Sequence, residues 1–345
     1  MERRLLPTYH SPLTTIMFEI VFLGTSASAP SIRRGLAAQI VMYRQYRFLV
    51  DCGEGTQRQL LKSGLGFKRL DRILLTHGHL DHILGLAGLL STFMRWETLE
   101  KMNIYGGRAT LERVQDLLFK VVLRGVKPPM ALKFNEIRPG VVMQDQHLEL
   151  AAFPVTHRGA SGCFGFLFRE KSHRPFLDDR AEALGVPRGP ERRQLVAGQS
   201  ISLPNGSVIA PDDVLGPVEL GASLAVVGDA GRTDDLIEMV RGVDALVIEA
   251  TYLHEEAEMA QQYGHLTATQ SAILAREANV RQLILTHVSR RYHEKDILAE
   301  AQAIFPAAVV ARDFDRYRVV RGQTVLAKAP EEVEAATEEV SDVSA

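Results

Sequence analysis

The sequence predicts a layered α/β fold, and three observations carry that prediction. Short apolar runs of strand length alternate with helical patterns through most of the 345 residues, as in layered α/β domains. At 46% hydrophobic and 24% charged, the chain lies in the ordinary globular range and is long enough to bury a full core. It has only two cysteines, Cys52 and Cys163, far apart in sequence. They rule out a disulfide scaffold and read as reduced thiols in a cytoplasmic protein.

Taken in order, Met1 to Ile16 reads as a loose leader, with Met17 an alternative start and a single body expected over residues 17–328. Phe18 to Leu23, Ala37 to Tyr43, Tyr46 to Asp51, Ile73 to Thr76 and Leu148 to Phe153 read as strands, as do Leu224 to Val227, Ala245 to Ile248 and Leu283 to Thr286. Helical periodicity is clearest over Leu111 to Val122, Thr267 to Glu277 and Lys295 to Phe305. Residues Arg169 to Pro217 break the rhythm with Gly185, Pro187, Gly189, Pro190, Gly198, Pro204, Gly206, Pro211 and Gly216. So many turn-formers predict an excursion from the body with no core of its own, or else a disordered surface insertion. From Ala329 to Ala345 there are six acids and no Lys or Arg, which predicts a disordered acidic tail. Those acids outweigh the net charge of -2, so the body is mildly basic and permits an anionic partner. No apolar run approaches the ~18 residues of a membrane span, and no signal-peptide core is present.

The chemistry concentrates at Thr76-His77-Gly78-His79-Leu80-Asp81-His82, between the apolar Ile73-Leu74-Leu75 and an apolar helix from Ile83. Three imidazoles and a carboxylate in six residues at a strand end can converge on a metal. Such an N/O donor set suits Zn²⁺ best, with Mn²⁺ or Co²⁺ as substitutes. His157, Asp229 and His287 are each the first strong ligand after a buried strand, where α/β folds gather their sites. A lone residue of this kind is more often surface polarity; seven under one placement rule point to metal.

This pattern is similar to the metallo-β-lactamase superfamily, and finer motifs resemble ribonuclease Z, a family of tRNA 3′-processing endonucleases. They are Phe22-Leu23-Gly24-Thr25, Asp51-Cys52-Gly53-Glu54-Gly55-Thr56-Gln57, Pro154-Val155-Thr156-His157, Gly228-Asp229, Glu249-Ala250-Thr251-Tyr252, His265-Leu266-Thr267-Ala268 and Leu285 to Tyr292. The resemblance spans Phe18 to about Arg321 and implies a four-layer αβ/βα metallo-β-lactamase fold with a protruding arm. It further implies two zinc ions per chain, one held by His77, His79 and His157, the other by Asp81, His82 and His287, with Asp229 bridging. A hydroxide shared by the metals would attack the phosphorus of precursor tRNA, leaving a tRNA 3′-hydroxyl and a 5′-phosphorylated trailer. Asp81 is implied as proton acceptor and His265 as the acid protonating the leaving oxygen. Asp51 and Glu249 are read as carboxylates behind the ligand histidines and His265. The insertion at 169–217 resembles the family's tRNA-gripping arm, with Gly185, Pro187, Arg188, Gly189 and Pro190 at its tip and Arg192 and Arg193 beside it. Arg33 and Arg34 are further RNA contacts, and a homodimer is implied.

Two segments depart from the family pattern. Gly35 stands where relatives carry Asn, and Thr92 to Met102 is unlike the usual version. Both lie near the expected substrate entrance. The rival readings are a hydrolase of small phosphoesters, against which the arm argues, and a tRNA-binding module without catalysis, against which the complete ligand set argues.

Overall fold

The computed structural model describes residues 17–96, 99–159 and 162–327. Two mixed sheets lie face to face. The first runs Gln323–Ala327, Arg316–Val320, Phe18–Gly24, Ala38–Tyr43, Tyr46–Val50, Arg72–Leu74, Lys101–Gly106 and Ala131–Glu136. The second runs Ala308–Val310, Leu283–Thr286, Ala245–Glu249, Ser223–Val226, Phe164–Glu170, Leu148–Pro154 and Gly140–Gln144. Central strands such as FEIVFLG and ALVIE are apolar nearly throughout because both of their faces are covered.

Three apolar layers hold this together. Phe18, Phe22, Phe48, Phe166, Phe168, Leu224 and Val247 fill the space between the sheets, and Phe48 packs edge-on to Phe168 at 5.4 Å. Outside the first sheet, Leu60, Leu86, Leu89, Phe93 and Leu111 come from helices Thr56–Lys62, Gly85–Trp96 and Arg108–Gln115. Outside the second, Ala272, Ala275, Ile297 and Ala301 come from Ala268–Glu277 and Glu294–Gln302. Helix, sheet, sheet, helix is the four-layer αβ/βα architecture. Among the described residues no helix is long and apolar enough to cross a membrane.

The expected strands are present, several with ends displaced by a residue or two. The helix expected over Leu111 to Val122 is an α-helix to Gln115 that widens into a π-helical turn, Asp116–Leu123. The insertion departs further from expectation. It leaves after Glu170 and returns at Ser223, between two strands that pair directly, Ser223 opposite Arg169. It then builds short helices Asp178–Ala183 and Pro190–Val196, a small hairpin, Ile201–Ser202 with Val208–Ile209, and the turn Pro211–Val214. Ala181, Val186, Leu195, Ile201, Leu203, Ile209, Val214 and Leu215 bury one another, so the expectation of no core of its own is corrected. Its helices run under two turns each, too short for periodicity to show. The expected leader and acidic tail lie outside the described residues.

Candidate active site

The site forms where strands of the two sheets end. His77 and His79 follow Arg72–Leu74, and the short helix Leu80–Ile83 then carries Asp81 and His82. Backbone bonds pin this turn to the Asp51 loop: Cys52 N donates to His82 O at 2.8 Å, and Gly85 N to Cys52 O at 2.8 Å. His157 follows Leu148–Pro154, Asp229 follows Ser223–Val226, and His287 follows Leu283–Thr286. Asp51 and His287 adopt left-handed backbone, φ 57° and 53°. That conformation costs on the order of 1 kcal/mol for a residue with a Cβ and recurs at functional turns.

Asp229 sits at the centre, almost fully buried. Its Oδ2 lies 3.6 Å from His77 Nε2 and 3.8 Å from His157 Nε2. Its Oδ1 lies 3.3 Å from His82 Nε2 and 3.4 Å from His287 Nε2. Each carboxylate oxygen therefore faces one histidine group. Donor atoms of His77, His79, His157 and Asp229 lie within 4.8 Å of one another, and so do those of Asp81, His82 and His287. These are the two groups into which the sequence reading divides the ligands.

The donors fit a metal. His77 Nε2, His82 Nε2 and Asp229 Oδ1 are buried without hydrogen-bond partners, and each such orphan costs about 1–3 kcal/mol. Histidine and carboxylate are donors that borderline divalent ions prefer. Behind them, His82 Nδ1 bonds Asp51 Oδ2 at 2.8 Å and His157 Nδ1 donates to Gly264 O at 2.6 Å, which turns both Nε2 atoms inward. His79 presents Nδ1, 3.2 Å from His157 Nε2.

Charge is arranged to match. Burial, then the nearby His82, pushes His77 well below the usual imidazole range. Burial opposes ionisation of Asp229, yet the imidazoles of His287, His82 and His77 hold it well below the usual carboxylate range. Burial likewise opposes charge on His82, and the Asp229 and Asp51 carboxylates outweigh it, holding that imidazole well above its usual range. Asp81 is held low against burial by its bond to His287 and by His82. His265 borders the cluster, with a donor atom within 4.8 Å of those of Asp229 and His287, a third group able to hold an ion. Its Nδ1 bonds Glu249 Oε2 at 3.1 Å and lies 3.8 Å from Asp229 Oδ2. Burial alone would lower it, but the Glu249 carboxylate raises it to about 9. Cys52 is pushed up to about 12 and Cys163 to about 11, both chiefly by burial, so both remain thiols.

The residues read as RNA contacts are dispersed. Gly185, Pro187, Arg188 and half-buried Gly189 lie in the turn between the two arm helices and Pro190 opens the second helix, with Arg188 paired to Glu182 at 2.7 Å. Arg192 turns inward, donating to Asp178 Oδ1 and Val186 O and lying over Phe176, whereas Arg193 is exposed. Arg33 is exposed too. Arg34 corrects its sequence reading. Its guanidinium donates to Thr25 Oγ1 and Ala311 O at 2.6 Å and to Glu294 at 2.7 Å, so the fold itself uses that charge. The sequence reading missed Thr76, Thr251 and the Gly264 carbonyl, all of which touch site histidines. The two threonines stand inside quoted motifs, but nothing in the sequence marks a supporting carbonyl.

Comparison with known proteins agrees with this geometry. The family described as anti-Pycsar protein Apyc1 matches residues 18–177. Ribonuclease Z of Bradyrhizobium diazoefficiens is 47% identical over 87% of this chain and 99% of its own. Ribonuclease Z of Archaeoglobus fulgidus is 35% identical over 87% and 97%, and ribonuclease BN of Cronobacter sakazakii is 37% identical over 86% and 98%. Among solved structures, the metallo-β-lactamase fold protein YhfI of Bacillus subtilis matches with TM-score 0.62 at 17% identity, covering 88% of this chain and 99% of that one. The short form of human tRNase Z matches with TM-score 0.60 at 23% identity, covering 90% and 99%. The fold is therefore that of the metallo-β-lactamases, and by its near full-length identity to curated relatives the chain belongs to the ribonuclease Z family.

Proposed function

We propose that this protein is a zinc-dependent endoribonuclease that removes the 3′ trailer from precursor tRNA, leaving a tRNA 3′-hydroxyl and a 5′-phosphorylated trailer. The observation that carries this reading is Asp229, whose two oxygens face two separate histidine groups with orphaned nitrogens. Family membership supplies the substrate.

His77, His79 and His157 would hold one zinc, Asp81, His82 and His287 the second, and Asp229 both. Bound there, zinc would offset charge growing on the phosphoryl oxygens and make water more acidic. The chain's own groups handle the protons. Asp81, held ionised and 15% exposed at its side chain, would accept a proton from the attacking water. Glu249 holds His265 Nδ1 and raises the ring against burial, so its Nε2–H would be given to the departing 3′ oxygen.

The arm at 169–217 would grip the tRNA through its exposed tip, with Arg33 contacting RNA nearer the cut. Arg34 is dropped from that role. Family membership supports a cytoplasmic homodimer in which one subunit's arm serves the other's site. Incubating the protein with trailer-bearing precursor tRNA, with and without chelator, and mapping both ends of the cut tests the reading. A chelator-sensitive cut at the 3′ side of the tRNA is expected; cleavage elsewhere, or none, overturns it.

A further inference from the structure

The two buried carboxylates behind the cluster are used alike. Asp51 Oδ2 accepts from His82 Nδ1 at 2.8 Å and from Thr76 Oγ1 at 2.8 Å. That Thr76 hydroxyl lies 3.0 Å from His77 Nδ1. Across the site, Glu249 accepts from His265 Nδ1 at 3.1 Å and from the Thr251 hydroxyl. Thr251 Oγ1 in turn lies 3.1 Å from His287 Nδ1. Each carboxylate thus touches one histidine directly and a second through a threonine.

A hydroxyl has one proton to give. An ionised carboxylate is a stronger acceptor than a neutral ring nitrogen, or than the His287 carbonyl 3.0 Å from Thr251 Oγ1. Each threonine therefore donates to its carboxylate, and its oxygen can only accept from the histidine. Both imidazoles are then held with the proton on Nδ1 and the lone pair on Nε2, the atom facing Asp229 at 3.6 Å from His77 and 3.4 Å from His287; at His287 the 3.1 Å contact of Nδ1 with Thr251 competes with the longer 3.4 Å approach of Nε2 to Asp81 Oδ2. The packing is built around the first hydroxyl. A Cβ at Gly228 would stand 2.6 Å from Thr76 Oγ1, so the residue before Asp229 has no room for a side chain.

We infer that Thr76 and Thr251 are positioning residues that relay a carboxylate to a second histidine, fixing His77 and His287 in the Nδ1–H tautomer. Asp51 then serves both groups of ligands, His82 directly and His77 through Thr76. This rests on reading the cluster as a metal centre.

The test compares Thr76→Val, Thr76→Ser, Thr251→Val and Thr251→Ser in the full chain. Zinc affinity is measured by competition with a chromogenic chelator, and histidine tautomers by long-range ¹H–¹⁵N spectra of the zinc-free protein. Valine keeps the shape without the hydroxyl and should weaken zinc binding about 10–100-fold, the usual loss when a partner behind a ligand is removed. Serine should bind as wild type does. Wild-type spectra should show Nδ1–H on His77 and His287. If wild type binds no zinc, the metal centre itself fails. If wild type binds zinc and the valine variants bind it equally well, the relay is overturned and the metal centre stands. Serine as weak as valine overturns it too, since packing of the methyl would then be what matters. Should a valine variant not fold, wild-type spectra decide, and Nε2–H on both rings refutes the relay.

Discussion

Replacing Glu249 by Gln keeps the side chain's shape and removes the charge that keeps His265 protonated. His265 stands at about 9 because that carboxylate outweighs burial. Without that charge, burial works against only the weaker raising pull of Asp229 and Asp81. Each tenfold loss of proton affinity corresponds to about 1.4 kcal/mol of lost preference for the protonated ring. Cations in the cluster would lower His265 in both proteins, so the difference is the quantity to read. A raised histidine is charged below its pKa and neutral above it, so a proton-donating His265 loses activity as pH rises through that value. Turnover of precursor tRNA, followed from about pH 6 to about pH 10, should therefore show an alkaline limb displaced downward by about one pH unit or more in Glu249→Gln. Zinc content must be measured in the same preparations, because Thr251 also leans on Glu249. An unmoved limb at unchanged zinc content refutes the acid role.

Three further outcomes follow from the same geometry. His265→Ala should lose roughly 10²–10⁴-fold in turnover on precursor tRNA but much less on a nitrophenyl phosphodiester, whose leaving group needs no proton; equal losses would make His265 structural. Gly264→Ala should destabilise the fold by about 1–2 kcal/mol, because a Cβ there meets Arg158 Cβ at 2.8 Å on a backbone of φ +73°, and it should weaken zinc binding by shifting the carbonyl behind His157; an unchanged melting temperature and zinc affinity would contradict this. Replacing Ser172 to Leu215 with a short Gly/Ser linker should spare small-phosphodiester hydrolysis and collapse tRNA cleavage, with a shallower salt dependence of tRNA binding as phosphate contacts are lost; normal tRNA cleavage would make the arm a mere insertion.

The strands around the site were legible because buried parallel strands are apolar on both faces, as in Leu283–Thr286 and Ala245–Glu249. The half-exposed edge strand Ala131–Glu136 carries no such signal and is missing from the sequence reading. The candidate ligands were legible because they follow strands or open the helix after one, and the structure brings their donor atoms within 4.8 Å of one another in groups. The partner of each long side chain was not. Arg34 and Arg33 are adjacent arginines in one loop, yet one is tied to Glu294 and the other is exposed. The arm's core escaped notice because eight small or aliphatic residues spread over short helices, a two-residue-stranded hairpin and turns leave no periodic trace.

The central claim is that Asp229 joins two groups of ligands, each able to hold an ion. Elemental analysis of purified wild-type protein and Asp229→Ala, alongside precursor-tRNA cleavage, tests it most directly. The account predicts close to two zinc ions per wild-type chain, with metal and cleavage both lost in the variant, since one carboxylate serves both positions. Active wild-type protein without any transition metal, or a variant that keeps both ions, would contradict it.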